Sequence, residues 1–89
     1  MIKTDEIMYI LQEECAEVTQ AISKCLSFGI DNYKPGKPKT NREHLAEELG
    51  DLQAMIDLCI KFNIVGSEQI SIAADNKIAK LKKWSSIYE

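Results

Sequence analysis

Between about Asp5 and Leu26 the apolar residues Ile7, Leu11, Val18, Ile22 and Cys25 recur at spacings of three, four and seven. Strand-type alternation is absent, so the spacing predicts an amphipathic helix of about six turns. Phe28-Gly29 closes it, with the glycine placed for a left-handed cap. The stretch from Ile30 to Lys39 contains Pro35, Gly36 and Pro38, which cannot continue a helix, so it reads as a loop. Thr40 followed three residues later by Glu43 is a capping-box pattern and marks the start of a second helix. Its stripe of Leu45, Leu49, Leu52, Ile56, Cys59 and Ile60 lasts until Phe62, and Asn63-Ile64-Val65-Gly66 breaks it. Ser67 is the expected cap of a third helix running to about Ile87, with Ile70, Ala74, Ile78, Leu81 and Trp84 on its buried face. The predicted fold is all-α: one domain over residues 1–89 with three main helices.

Three helices with wide apolar faces cannot all bury themselves in so short a chain, since a domain of this size hides only about 60–65% of its unfolded surface. Helix pairs from two chains packing into a four-helix bundle solve the problem, so a homo-oligomer is expected. With 45% hydrophobic and 28% charged residues the chain is too apolar for a disordered tail. The formal net charge of −3 argues against nucleic acid as a partner. No apolar run approaches the ~20 residues of a membrane span, and the N-terminus lacks a signal-peptide layout. A soluble, cytoplasmic protein without a membrane partner is the expectation. Cys15, Cys25 and Cys59 form no CxxC pattern and are expected to be buried, reduced thiols.

The positions of the acids carry more information than their number. At about 100° per residue from Ile7, Leu11, Val18 and Cys25 fall within about 40°, and Glu14 lands about 20° to the other side, inside the apolar stripe. Glu17 sits at the edge of that stripe and Glu13 further toward solvent. On the second helix Glu48 and Asp51 fall inside the apolar arc that runs from Ile60 through Leu52 and Met55 to Leu58. Two helices therefore each carry carboxylates at i, i+3 on a face that otherwise wants burial. Buried ionised carboxylates without a partner cost several kcal/mol each and repel one another. Four of them converging from two helices form an oxygen-only site suited to a hard cation, Mg²⁺ or Mn²⁺. The bland alternative is a pair of solvated faces making surface ion pairs.

Glu13-Glu14-Cys15-Ala16-Glu17 followed by Glu48-Leu49-Gly50-Asp51 is an EExxE…ExxD pattern. It resembles the MazG-like all-α nucleoside triphosphate pyrophosphohydrolases, a superfamily that includes dimeric dUTPases, dCTP pyrophosphatases and phosphoribosyl-ATP pyrophosphatase. The stretch from Leu45 through Ile60 and the tail from Lys77 to Trp84 look like the compact phage and bacterial versions of the family. The resemblance implies a four-helix bundle made by a homodimer or a dimer-of-dimers tetramer, in a bacterial cytoplasm or as a phage protein in its host. It implies hydrolysis of an NTP or dNTP to the monophosphate and pyrophosphate. Glu14, Glu17, Glu48 and Asp51 match the family's Mg²⁺ ligands, and Glu13 and Glu14 the carboxylates beside the attacking water. Thirty residues separate Glu17 from Glu48, at or slightly beyond the usual spacing, and the Lys34–Lys39 loop supplies the excess.

Phosphate binders should be basic and close. Lys77 and Lys80 lie one turn apart on the apolar side of the third helix, where they either cover apolar surface or hold the β- and γ-phosphates. Lys34, Lys37 and Lys39 crowd the loop, which reads as a basic lid or a solvated linker. Asn76 is a candidate reader of a base edge or ribose hydroxyl. Trp84, Phe28, Tyr33 and Tyr88 are candidate stacking platforms, with core packing the alternative for each. His44 shows no partner in the sequence, and Gly50 between two acids reads either as room for a close approach or as a packing notch. The expected function is Mg²⁺-dependent nucleotide pyrophosphohydrolysis. The rivals are phosphoribosyl-ATP hydrolysis on the same scaffold, and a non-catalytic interaction or nucleotide-sensing module with a structural cation site.

Overall fold

Helix α1 spans Lys3–Phe28, α2 Asn41–Lys61 and α3 Ser67–Trp84 in a computed structural model that describes all 89 residues. There are no strands beyond a single antiparallel bridge between Tyr33 and Thr40, so the chain is all-helical. α1 stops at Gly29, whose φ of 93° suits a residue without Cβ and whose N–H still donates to the Cys25 carbonyl. The Asn32 side-chain nitrogen lies 2.8 Å from where a Cβ would stand, so any other residue there would also push that side chain aside.

The capping box at α2 forms as its spacing predicts. Glu43 N–H donates to Thr40 Oγ1 at 3.1 Å, and Thr40 N–H donates back to the Glu43 carboxylate at 3.3 Å. The third helix departs from expectation at both ends. Its cap is Gly66, not Ser67, because Gln69 stands three residues after the glycine and its Oε1 accepts the Gly66 N–H at 2.7 Å. It ends at Trp84, short of Ile87, because Ser85 turns extended and its Oγ accepts the Ile87 N–H at 3.1 Å, a local bond that competes with another helical turn.

α1 and α2 form an antiparallel hairpin. At its open end Ile7 packs with Met55 and Cys59, ringed by Ile10, Leu11, Leu58 and Ile64. Val18 and Ala21 are buried further along α1. At the loop end Asn41 is the one buried polar residue. Its Nδ2 donates to the Gly29 carbonyl at 2.9 Å, its N–H to the Asn32 carbonyl at 2.8 Å, and its own carbonyl accepts the Cys25 thiol at 3.5 Å.

The chain measures 40 × 40 × 14 Å. The molecule is therefore flat, about a third as thick as it is wide. The radius of gyration, 15.8 Å, exceeds the roughly 12 Å of a compact domain of this length. Only six residues are buried, and none of them is on α3. The face expected to be buried there is not: Ile70 and Leu81 are half-buried, Ala74 and Ile78 are exposed, and Trp84 is 79% exposed. The cysteines also differ from expectation. All three are free thiols, but Cys59 alone is buried, Cys25 is half-buried and Cys15 is exposed, because Cys15 points off the α1–α2 seam.

Thr40→Ala removes one cap and is expected to lower stability by about 1 kcal/mol. Asn41→Ala should cost more, about 1–3 kcal/mol, since it removes the Nδ2 bond to the Gly29 carbonyl and empties the space of a side chain that is only 4% exposed. Urea denaturation followed by circular dichroism checks both, and equal costs would show that the Asn41 side-chain bond contributes little.

Candidate functional site

Antiparallel packing of α1 on α2 sets Glu14, near the middle of one helix, against Glu48 and Asp51, one turn apart on the other. Carboxylate oxygens of these three all lie within 4.8 Å of one another. Neighbouring oxygens of an octahedral Mg²⁺ stand about 3 Å apart and opposite ones about 4 Å, so side-chain shifts of up to about 2 Å would bring the set to such an ion. Burial falls in the order the helical wheel suggests for α1: Glu14 is half-buried, whereas Glu17 and Glu13 are exposed. Glu48 is half-buried and Asp51 exposed. Of the four expected ligands the structure thus brings three together, and leaves Glu17 one turn along α1, outside the cluster.

The charges feel one another. Desolvation first, then repulsion from Asp51, Glu48, Glu17 and Glu13, push the Glu14 carboxyl above its ordinary range. No lysine or arginine answers it: the ion pairs of the chain are Lys39–Glu47, Arg42–Asp31 and His44–Glu48.

His44 was expected to lack a partner, and here the structure differs. Its Nε2 stands 3.2 Å from Glu48 Oε1, one helical turn away, and Glu48 is the more buried of the two. The i, i+4 spacing of His44 and Glu48 is the sequence signal that finds the contact. Beside it opens a cleft of about 470 Å³ with four lysines in its wall: Lys24, Lys34, Lys37 and Lys39. Glu17 and His44 form its border toward the carboxylates. A second, more apolar cleft shares Lys24, Lys34 and Asn41 with the first, and presents the exposed rings of Phe28 and Tyr33. Lys24 is the member that reading by segments misses, because it belongs to α1 while its companions belong to the loop.

Lys77, Lys80, Asn76 and Trp84 sit exposed on α3. Within one chain neither Lys77 nor Lys80 forms an ion pair, and the Trp84 ring meets the Lys83 ammonium, 5.3 Å from its centroid. Trp84 is therefore not a core residue of the isolated chain. Gly50 faces open space, with nothing within 4 Å of a Cβ added there, so within the chain it is neither a notch nor a point of close approach. No helix is long and apolar enough to cross a membrane.

Of the comparisons with known proteins, one gives a match. The family model described as the MazG nucleotide pyrophosphohydrolase domain matches residues 3–84. No curated protein and no solved structure matches the chain.

The raised Glu14 carboxyl gives a signed expectation for metal-free protein. Since the fold disfavours the ionised form, Glu14→Gln should raise the melting temperature at pH 7. The gain should shrink as pH falls through the raised native pKa and vanish below the ordinary carboxylate value, where wild-type Glu14 is protonated in both states. Mg²⁺ should reverse the order by stabilising the wild type more than the variant. Thermal melts from pH 4 to 8 with EDTA or Mg²⁺ check this, and a variant less stable than wild type in EDTA at pH 7 would contradict it.

Proposed function

Because the chain belongs to the MazG nucleotide pyrophosphohydrolase family, we propose that it hydrolyses nucleoside or deoxynucleoside triphosphates to the monophosphate and pyrophosphate with the help of Mg²⁺. The observation that carries the reading is the convergence of Glu14, Glu48 and Asp51 oxygens within 4.8 Å, with a raised Glu14 and no cation beside it. Glu17, one turn from Glu14, is the proposed fourth ligand. Mn²⁺ has the same preference for oxygen donors and is the proposed substitute.

Mg²⁺ bound there supplies Lewis acidity and neutralises phosphate charge. The residues of the chain do the rest. Glu14, Glu48 and Asp51 would hold the ion between them. Glu13, exposed beside Glu14, is the proposed acceptor of a proton from the attacking water, with Glu14 itself as the alternative acceptor while its carboxyl is elevated. One water is consumed, its oxygen ends on phosphorus, and the bridging oxygen leaves with pyrophosphate. His44 holds Glu48 from behind and fixes which of its oxygens faces the site.

The chain is proposed to work as a homodimer or a pair of dimers that builds a four-helix core. Met8, Cys15 and Ile22 recur at seven-residue intervals on α1 and all are exposed, with Leu26 prolonging the stripe. Such a heptad seam beside a half-buried one suits a second helix pair. The flat shape and the open apolar side of α3 support the same reading. In that assembly Lys77, Lys80, Asn76 and Trp84 are proposed to reach the phosphates and base, and the match over residues 3–84 supports taking the chain as one MazG-like domain. A cytoplasmic place of action follows from its nucleotide substrates.

Incubation with each NTP and dNTP, with Mg²⁺ and then with EDTA, tests the reaction. Monophosphate plus pyrophosphate, formed only with metal, is expected. Orthophosphate plus diphosphate would overturn the proposed bond cleavage. Glu48→Gln and Asp51→Asn should each reduce turnover by more than about 100-fold, since even partners behind metal ligands are worth about 10–100-fold. Helicity should survive. Sedimentation should show at least twice the 10.1 kDa chain mass, and Ile22→Glu should shift it toward monomer.

A further inference from the structure

The four-lysine cleft is the feature that the carboxylate site leaves unexplained. Lys34, Pro35, Gly36 and Lys37 form a β-turn, with Lys37 N–H donating to the Lys34 carbonyl at 2.9 Å and Gly36 at φ 74°. Proline at the second position and a positive-φ glycine at the third are the marks of a type II turn. The turn brings Lys34 and Lys37, its first and last residues, to the same place. Lys24 comes up from α1 to meet them, half-buried along its stem. Lys39 is the member already occupied, by Glu47. Lys24, Lys34 and Lys37 have no carboxylate partner in the chain.

Three ammonium groups assembled without a counter-ion repel one another. The contact between Lys34 and Lys24 comes first, followed by the repulsion of the Lys24 charge, desolvation and Lys37, and together they hold Lys34 below the ordinary lysine range. Lysines on a mobile surface would separate. Here the turn and the Asn41 hydrogen bonds hold the loop against the end of α1.

We infer that the cleft of Lys24, Lys34 and Lys37 is a binding site for a pyrophosphate group, either the free anion or the terminal two phosphates of a nucleotide. A single carboxylate would leave most of the charge unanswered, whereas two linked phosphates carry three or more negative charges on a short, rigid chain. A long polyanion does not suit it: the cleft holds about 470 Å³, Glu17 stands at its border, and the whole chain is acidic. Its position fits the same group. His44 lines the cleft and touches Glu48 of the carboxylate cluster, so the two sites share a wall. Lys24 follows Glu14 by ten residues, about 15 Å along the helix axis, and helical side chains lean toward the N-terminus, which carries Lys24 back toward the cluster. As a place for the departing end of a triphosphate the inference rests on the proposed hydrolysis. As an anion site it does not.

Calorimetric titration with inorganic pyrophosphate in EDTA tests the cleft without metal or turnover. Saturable binding is expected at one site per chain, weakening as salt is added. Lys34→Ala and Lys37→Ala should each weaken it by at least about tenfold, while Lys82→Ala, on the far end of α3, should leave it unchanged. Both loop positions are exposed, and circular dichroism shows whether the variants stay helical; Lys34→Gln serves as a second, milder variant. The inference is overturned if wild type does not bind pyrophosphate, if the loop variants bind it as well as wild type does, or if Lys77→Ala abolishes binding while Lys34→Ala does not. Nucleotide hydrolysis without pyrophosphate binding would sink the cleft alone. Pyrophosphate binding without any nucleotide turnover would sink the hydrolase reading alone.

Discussion

Asn41 holds the hairpin together at its closed end. One side chain and its own backbone tie the last turn of α1, the loop and the first turn of α2, through Gly29, Cys25 and Asn32. These bonds set where α2 begins relative to α1, and so which residues face each other further along the seam. A slip of one residue would rotate Glu48 and Asp51 by about 100° away from Glu14. The same bonds press the lysine-bearing loop against α1. Both charged features of the molecule, one acidic and one basic, therefore depend on one buried amide.

The two features are opposite in sign and adjacent, yet they do not neutralise each other. His44 stands between them, 3.2 Å from Glu48 on one side and open to the lysine cleft on the other. Salt bridges that could have drained the contrast are spent elsewhere, with Lys39 on Glu47 and Arg42 on Asp31. Arg42 holds the Asp31 carboxyl below its usual range, so that pair stays ionised well into acid. What remains is a field that runs from negative to positive along the hairpin. It matches a ligand that brings a divalent cation at one end and bare phosphate oxygens at the other.

Much of this was legible in the chain. Helical spacing located α1 and α2, and Thr40 with Glu43 located the start of α2 to the residue, because capping is decided by atoms three positions apart. Wheel positions ranked Glu14 above Glu17 and Glu13 in burial. The motif credited Glu17 and Asp51 equally as ligands, and of the two only Asp51 joins Glu14, since a spacing pattern fixes the angle of a residue but not its height along the partner helix. The buried face of α3 was misread for a related reason. Apolar spacing reports that a face seeks a partner, and says nothing of whether the same chain provides one. The Lys24 contribution was hidden by distance in sequence: its neighbours in space lie ten or more residues on, beyond the reach of any local rule.

The Lys34–Lys37 turn has a thermodynamic side. Pro35 has a fixed φ, and Gly36 sits in a conformation that few other residues adopt. The backbone torsions that set the two lysines side by side are thus chosen when the chain folds. An anion that bridges them later has only the flexible lysine stems left to order, so the entropic penalty of capture falls on side chains and not on the loop.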